Sequence, residues 1–247
     1  MNTLMSRPLC ALLLFTASAW VHAQGENVDY GAAAPGYLAL PAHNAKQAPA
    51  LILIHEWWGL NDNIRDFAES FAKEGYVALA VDLYDGKVAT QRDEARQYAG
   101  AVRNNVDAAF DNLRAAVDYL SSRPDVDTTR IAAVGWCFGG GWAYHMAKND
   151  LGVKASVMYY GQFDPEADFK HMRTTILGHF GAEDRAIKVD NVKTFQANLK
   201  TANGNHEIYI YENAGHAFAN KDNQRAYNSE AAALSWQRTM TFLTKHL

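Results

Sequence analysis

Short apolar runs alternate along this chain with longer stretches whose apolar positions recur every three to four residues. Residues 50–55, 76–81, 130–135, 155–160, 175–180 and 206–211 read as strands, and a short edge strand is predicted near 37–40. Residues 61–74 read as a helix. Ile64, Phe67, Ala68 and Phe71 share one face, Asn61 or Asp62 supplies the cap, and Gly75 ends it. Residues 91–122 carry helical patterning in more than one piece, and 190–201 and 230–247 predict further helices. Apolar strands alternating with amphipathic helices predict an α/β fold, a single domain whose mostly parallel central sheet is covered by helices on both faces. Ligands bind such sheets beyond the carboxyl ends of the strands. The polar residues at those ends are Glu56, Asp82, Cys137, Asp184 and His216.

The N-terminus breaks the pattern. Arg7 precedes an apolar stretch over 9–20, and Val21-His22-Ala23 resembles an A-x-A cleavage site. Residues 1–23 therefore read as a secretory signal peptide. The remaining 224 residues, 24–247, form the domain of a periplasmic or secreted protein. The leader is too short to span a bilayer, and no later segment is long and apolar enough, so no membrane contact is expected after cleavage. Of the two cysteines, Cys10 leaves with the leader. Cys137 is then unpaired, and an unpaired thiol is open to oxidation in an oxidising compartment, which favours a chemical use for it. The chain has 23 basic and 27 acidic residues, a net charge of −4, and loss of Arg7 takes it to −5. This mild acidity, with no basic run, argues against nucleic acid or an anionic membrane as partner. A small molecule is the expected partner and a monomer the default assembly.

Gly135-Trp136-Cys137-Phe138-Gly139-Gly140 follows the apolar run Ile131-Ala132-Ala133-Val134 and precedes a helix-like stretch over 141–148. Glycines two before and two after a nucleophile mark the elbow G-x-S-x-G, here with cysteine in place of serine. The glycines make room for a strained strand-to-helix turn. The turn presents the side chain beside a helix N-terminus, whose N–H groups favour negative charge. The competing reading is a buried core cysteine.

A nucleophile of this kind needs a base, and the base an orienting group. His216, in Gly215-His216-Ala217-Phe218, follows one strand, and Asp184, in Gly181-Ala182-Glu183-Asp184, follows another. The order Cys137, Asp184, His216 is that of α/β hydrolases. Glu183 competes with Asp184 for the acid role. His55, His145, His171 and His179 read as structural. His55-Glu56-Trp57-Trp58-Gly59 begins like the zinc motif H-E-x-x-H but has Gly59 at the second ligand position, so neither metal nor organic cofactor is expected. The backbone N–H groups of Trp57 and Phe138 are the candidate oxyanion hole, which would bring Glu56 close to Cys137.

Taken together, these segments resemble the dienelactone hydrolase family of α/β hydrolases. The resemblance is carried by 55–60 (His-Glu-Trp-Trp-Gly-Leu), 61–65 (Asn-Asp-Asn-Ile-Arg), 74–78 (Glu-Gly-Tyr-Val-Ala), 81–84 (Val-Asp-Leu-Tyr), 130–140 and 215–218, and it spans nearly all of the chain after the leader. It implies a Cys137–His216–Asp184 triad that cleaves carboxylic ester or lactone bonds through a thioester acyl-enzyme. It also implies a gating role for Glu56. Trp57, Trp58, Tyr84, Trp136, Tyr159 and Tyr160 are candidate pocket walls. The chain departs from the family where substrate is recognised. An arginine that follows the Asp-Leu-Tyr segment in dienelactone-opening enzymes is replaced by Asp85-Gly86-Lys87, and one shortly after the catalytic histidine by Ala219-Asn220-Lys221. Lys87, Lys221 or Arg225 are the candidate substitutes. The alternatives are a broad carboxylesterase or thioesterase, and a non-catalytic thiol-bearing binding or redox protein on the same fold.

Overall fold

The structure is a computed structural model that describes residues 25–42, 47–202 and 204–247. The expected signal peptide, with Cys10, lies outside the described residues. The elements run β1 (Glu26–Val28), β2 (Gly36–Ala39), β3 (Ala48–Ile54), α1 (Asp62–Lys73), β4 (Val77–Val81), α2 (Arg92–Arg103), α3 (Val106–Ser122), β5 (Val126–Trp136), α4 (Phe138–Lys148), β6 (Ala155–Tyr159), β7 (Thr175–Gly181), α5 (Val189–Leu199), β8 (Glu207–Tyr211) and α6 (Ser229–His246). They form one eight-stranded sheet in the order β1-β2-β4-β3-β5-β6-β7-β8. The β1/β2 and β2/β4 pairs are antiparallel and all the others parallel. The expected α/β fold is the one observed, and 91–122 divides into two helices.

The parallel strands bury both faces, which is why they lack polar alternation. On β5, Ala132, Val134 and Trp136 pack with α1 and α6, while Ile131 and Ala133 pack with α2, α3 and α4. Asn61 caps α1, its side chain accepting from the Ile64 N–H. Two strand expectations shift. The outer edge is β1, so the strand near 37–40 is flanked on both sides. The strand ending in the elbow begins at Val126, where a single register pair with Ala48 extends it.

His179, on β7, is fully buried. Its Nδ1 is 2.8 Å from the Tyr211 hydroxyl and its Nε2 3.0 Å from the Thr239 hydroxyl. Burial, helped by the Arg238 charge, pushes its pKa down to about 3. The unfolded chain takes up this proton near the ordinary value of about 6.5. The contribution of His179 to stability is therefore fully present above that pH and drains away as pH falls towards 3. Between pH 6.5 and 4 the loss is on the order of 3 kcal/mol. In urea unfolding series, His179→Gln is expected to be less stable at pH 7 but to fall less steeply towards pH 4 than wild type. Equal slopes would contradict a neutral, buried His179.

Candidate active site

Cys137 stands between β5 and α4 with φ 53° and ψ −113°. A non-glycine residue in this region stores about 1–3 kcal/mol of strain, so its surroundings must hold it there. Its N–H donates to the Tyr159 carbonyl at 2.9 Å, and its carbonyl accepts from Gly141 at 3.2 Å. The flanking glycines permit the approach. A Cβ on Gly135 would strike the Gly139 carbonyl, and one on Gly139 would strike the Ile54 carbonyl. The α4 N-terminus is thus pressed against the end of β3. Phe138 opens α4, so its N–H is among those the helix leaves without an intrahelical partner. Trp57 lies in the loop that leaves β3.

The loops after β7 and β8 bring the other two groups to the thiol. His216 Nε2 is 3.1 Å from Cys137 Sγ, and its Nδ1 is 2.8 Å from Asp184 Oδ2. Asp184 is buried, and its Oδ1 accepts from the N–H groups of Ala186 and Ile187 at 2.7 and 3.1 Å. The neighbouring Glu183 is exposed, and Asp184 is the carboxylate that meets His216. Burial of the imidazole opposes its charge. The hydrogen bond it donates to Asp184, followed by its contact with Cys137, outweighs that and raises the pKa of His216 to about 10.

Glu56 is buried just beyond the carboxyl end of β3, and its carboxyl is hydrogen-bonded by Asn220 and Tyr160. Oε2 accepts from Asn220 Nδ2 at 2.6 Å and Oε1 from the Tyr160 hydroxyl at 3.3 Å. Burial raises its pKa, with the Asn220 hydrogen bond opposing. Tyr160 connects it to the triad, its ring centroid 5.2 Å from that of His216. Behind this loop, His55 is buried and held neutral. Its Nε2 accepts from the Leu83 N–H at 3.2 Å, so Nδ1 carries the proton and donates to the Glu56 carbonyl at 2.6 Å. It ties the loop after β3 to the loop after β4.

A cavity of about 470 Å³ opens over the triad, lined by Cys137, His216 and Tyr160, by Phe138, Gly141, Trp142 and His145 of α4, and by Arg103, Gln162 and Ala186. Several expected wall residues lie elsewhere. Trp136 and Tyr159 point to the α1/α6 face. Trp136 stacks on Phe67 at 4.3 Å, and the Tyr159 hydroxyl bonds that of Thr239 at 2.7 Å. Both line a second cavity of about 370 Å³. Trp57 and Trp58 are half-buried, packed edge to face outside the lining, and Tyr84, whose hydroxyl donates to the Trp57 carbonyl at 3.2 Å and whose ring packs on His55 and Phe138, lines a different cavity. The substitute cations also fall away. Lys87 sits over the Tyr98 ring in a separate cavity of about 200 Å³, Lys221 pairs with Asp66 at 2.6 Å, and Arg225 is exposed outside the lining.

Sequence reasoning missed Trp142, Gln162, Ala186 and Arg103, assigned His145 to structure, and did not single out Asn220. Helical spacing from Cys137 through Gly141 to His145 was a usable signal for the α4 wall. Arg103 had no local signal, because only tertiary packing brings the end of α2 over Phe138. Among the described residues no cluster of His, Cys, Asp or Glu has the arrangement of a metal site, and no helix is long and apolar enough to cross a membrane.

Similarity to known proteins follows the same geometry. The family model for the dienelactone hydrolase family matches residues 34–247. A Yersinia pestis protein named "Putative carboxymethylenebutenolidase" is 30% identical over 229 residues, covering 86% of this chain and 84% of that protein. The solved structure called m3DLH is 27% identical with a TM-score of 0.81, covering 90% of this chain and 97% of its own. A dienelactone hydrolase-like promiscuous phosphotriesterase, P91, from metagenomic libraries shares the fold at 22% identity, with a TM-score of 0.81 and the same coverage of 90% and 97%.

Proposed function

The chain belongs to the dienelactone hydrolase family and is an ester-bond hydrolase, and from that premise we propose that Cys137, His216 and Asp184 carry out the hydrolysis through a thioester. The observation that carries this reading is the continuous chain from sulfur to imidazole to carboxylate, 3.1 and 2.8 Å, opening into a cavity. The thiol proton passes to His216 Nε2 and the sulfur attacks the carbonyl carbon, forming the C–S bond and moving the carbonyl π electrons onto oxygen. The N–H groups of Trp57 and Phe138 hold that oxyanion. Collapse re-forms the carbonyl and breaks the bond to the alcohol oxygen, which takes its proton from His216. In the second half His216 accepts a proton from water, the hydroxide attacks the thioester, and the sulfur leaves as thiolate. Asp184 accepts from Nδ1–H throughout, fixing the tautomer and supporting the imidazolium. Glu56 is the gate in this reading, felt by the pair through Tyr160 and His216. Carboxylic esters and lactones are the substrate class, and the leader pattern of residues 1–23 supports export of the enzyme.

The purified chain is expected to hydrolyse 4-nitrophenyl esters, and iodoacetamide alkylation of Cys137 is expected to abolish that turnover. A fully alkylated protein that turns over at the untreated rate would overturn the reading.

A further inference from the structure

We propose that the second cavity, between α1 and α6, binds a small, flat, uncharged aromatic molecule that carries a carbonyl acceptor, at a site separate from the triad. The cavity measures about 370 Å³, within the range of small-molecule sites, and shares no lining residue with the one over the triad. The two back onto each other at the elbow, because Trp136 and Tyr159 directly precede Cys137 and Tyr160 in the chain. Phe67, Trp136, Tyr159 and Trp236 line the second cavity as a series of near-parallel rings. Phe67 stacks on Trp136 at 4.3 Å and 17°, Trp136 on Tyr159 at 5.6 Å and 24°, and Trp236 lies 6.4 Å from Phe67 at 25°. Flat apolar faces of this kind pack well against a further ring.

What marks this cavity out is a pair of unspent donors. Asn63 and Trp136 are only 4% and 1% exposed, and neither Asn63 Nδ2 nor Trp136 Nε1 has a hydrogen-bond partner among the described residues. A buried donor left without an acceptor is costly, and a native fold carries few of them. His246 Nε2 is also without a partner, but it lines none of the three cavities described. Here two such donors belong to the wall of one cavity. The other polar groups of that wall are committed or partly in solvent. The Ser70 hydroxyl donates to the Asp66 carbonyl at 2.7 Å, the Ser235 hydroxyl to the Ala232 carbonyl at 2.9 Å, and the Tyr159 hydroxyl bonds that of Thr239 at 2.7 Å. Tyr227 and Trp236 are partly exposed. Asp66 and Lys221 pair with each other at 2.6 Å, so neither is left to select a net charge. An indole N–H and an amide N–H only donate, so the group that completes the wall is an uncharged acceptor.

The test sets acetophenone, a ring with one carbonyl, against ethylbenzene, which has nearly the same shape without the oxygen. Each is added to the purified chain while the indole N–H of Trp136 is followed by NMR. Acetophenone is expected to move that resonance downfield and saturably, with a Kd of about 1 mM. Ethylbenzene is expected to bind at least about threefold more weakly, although it is the more hydrophobic of the two. A cavity that is merely apolar gives the reverse order, and that result would overturn the proposal, as would an indole resonance that moves with neither compound. Asn63→Leu removes one donor at similar volume and is expected to abolish the preference for acetophenone. Ala232→Phe fills the cavity and is expected to abolish binding of both compounds. An Asn63→Leu variant that keeps the wild-type preference, or an Ala232→Phe variant that binds acetophenone as the wild type does, would overturn the proposal. Should Ala232→Phe not fold, Asn63→Leu decides, since it trades an unpaired buried amide for an apolar side chain and should be at least as stable as wild type. None of these readouts uses turnover, so the outcome is independent of the hydrolase reading.

Discussion

Cys137→Ala is expected to lower kcat for ester hydrolysis by at least about four orders of magnitude, because removing the nucleophile leaves only binding and the oxyanion donors. The variant should remain folded. Alanine keeps the Cβ, so the elbow retains its φ of 53° and ψ of −113°, and the hydrogen bonds to Tyr159 and Gly141 are made by backbone. Thermal unfolding is therefore expected within a few degrees of wild type, which separates lost chemistry from lost structure. Cys137→Gly supplies the complement. It loses activity equally but releases the strain of a side chain in that conformation, and should gain about 1 kcal/mol of stability. A Cys137→Ala variant with kcat within tenfold of wild type would remove the nucleophile from the account.

Gly139→Ala is expected to destabilise the fold by about 3 kcal/mol or more. A methyl group there has no free direction. It meets the carbonyl carbon and oxygen of Ile54 and the carbonyl of His55, all backbone at the end of β3. Relief requires α4 to move away from β3, and that movement separates the Phe138 and Trp57 N–H groups. The loss of one oxyanion donor is worth about 10²–10³ in kcat, so the folded fraction should also be slow. Urea unfolding and kcat measured on the same preparation check both parts. A variant as stable and as active as wild type would mean that the close approach of α4 and β3 is not needed.

The parallel core was legible in the sequence because its strands are apolar throughout and its helices are periodic. β1 was not, since Glu26, Asn27 and Val28 bury little and pair with one neighbour only. The meeting of Cys137, His216 and Asp184 was legible because all three residues follow strands directly. The choice between Asp184 and Glu183 needed the turn itself, in which the N–H groups of Ala186 and Ile187 hold the Asp184 carboxyl inward. Pocket walls were poorly legible for a geometric reason. Successive strand residues face opposite sides of the sheet, so closeness to Cys137 in sequence placed Trp136 on the far face. Part of the cavity lining comes from side chains brought in by packing, such as Arg103 and Gln162, which no spacing rule connects to the elbow.

The central claim is that the acyl group passes through the sulfur of Cys137. Rapid-quench mass spectrometry of wild type during turnover of a 4-nitrophenyl ester tests it directly. The expected result is a transient acyl adduct on the peptide that contains Cys137, absent in Cys137→Ala. An adduct on another residue, or no adduct together with undiminished turnover by Cys137→Ala, would contradict it.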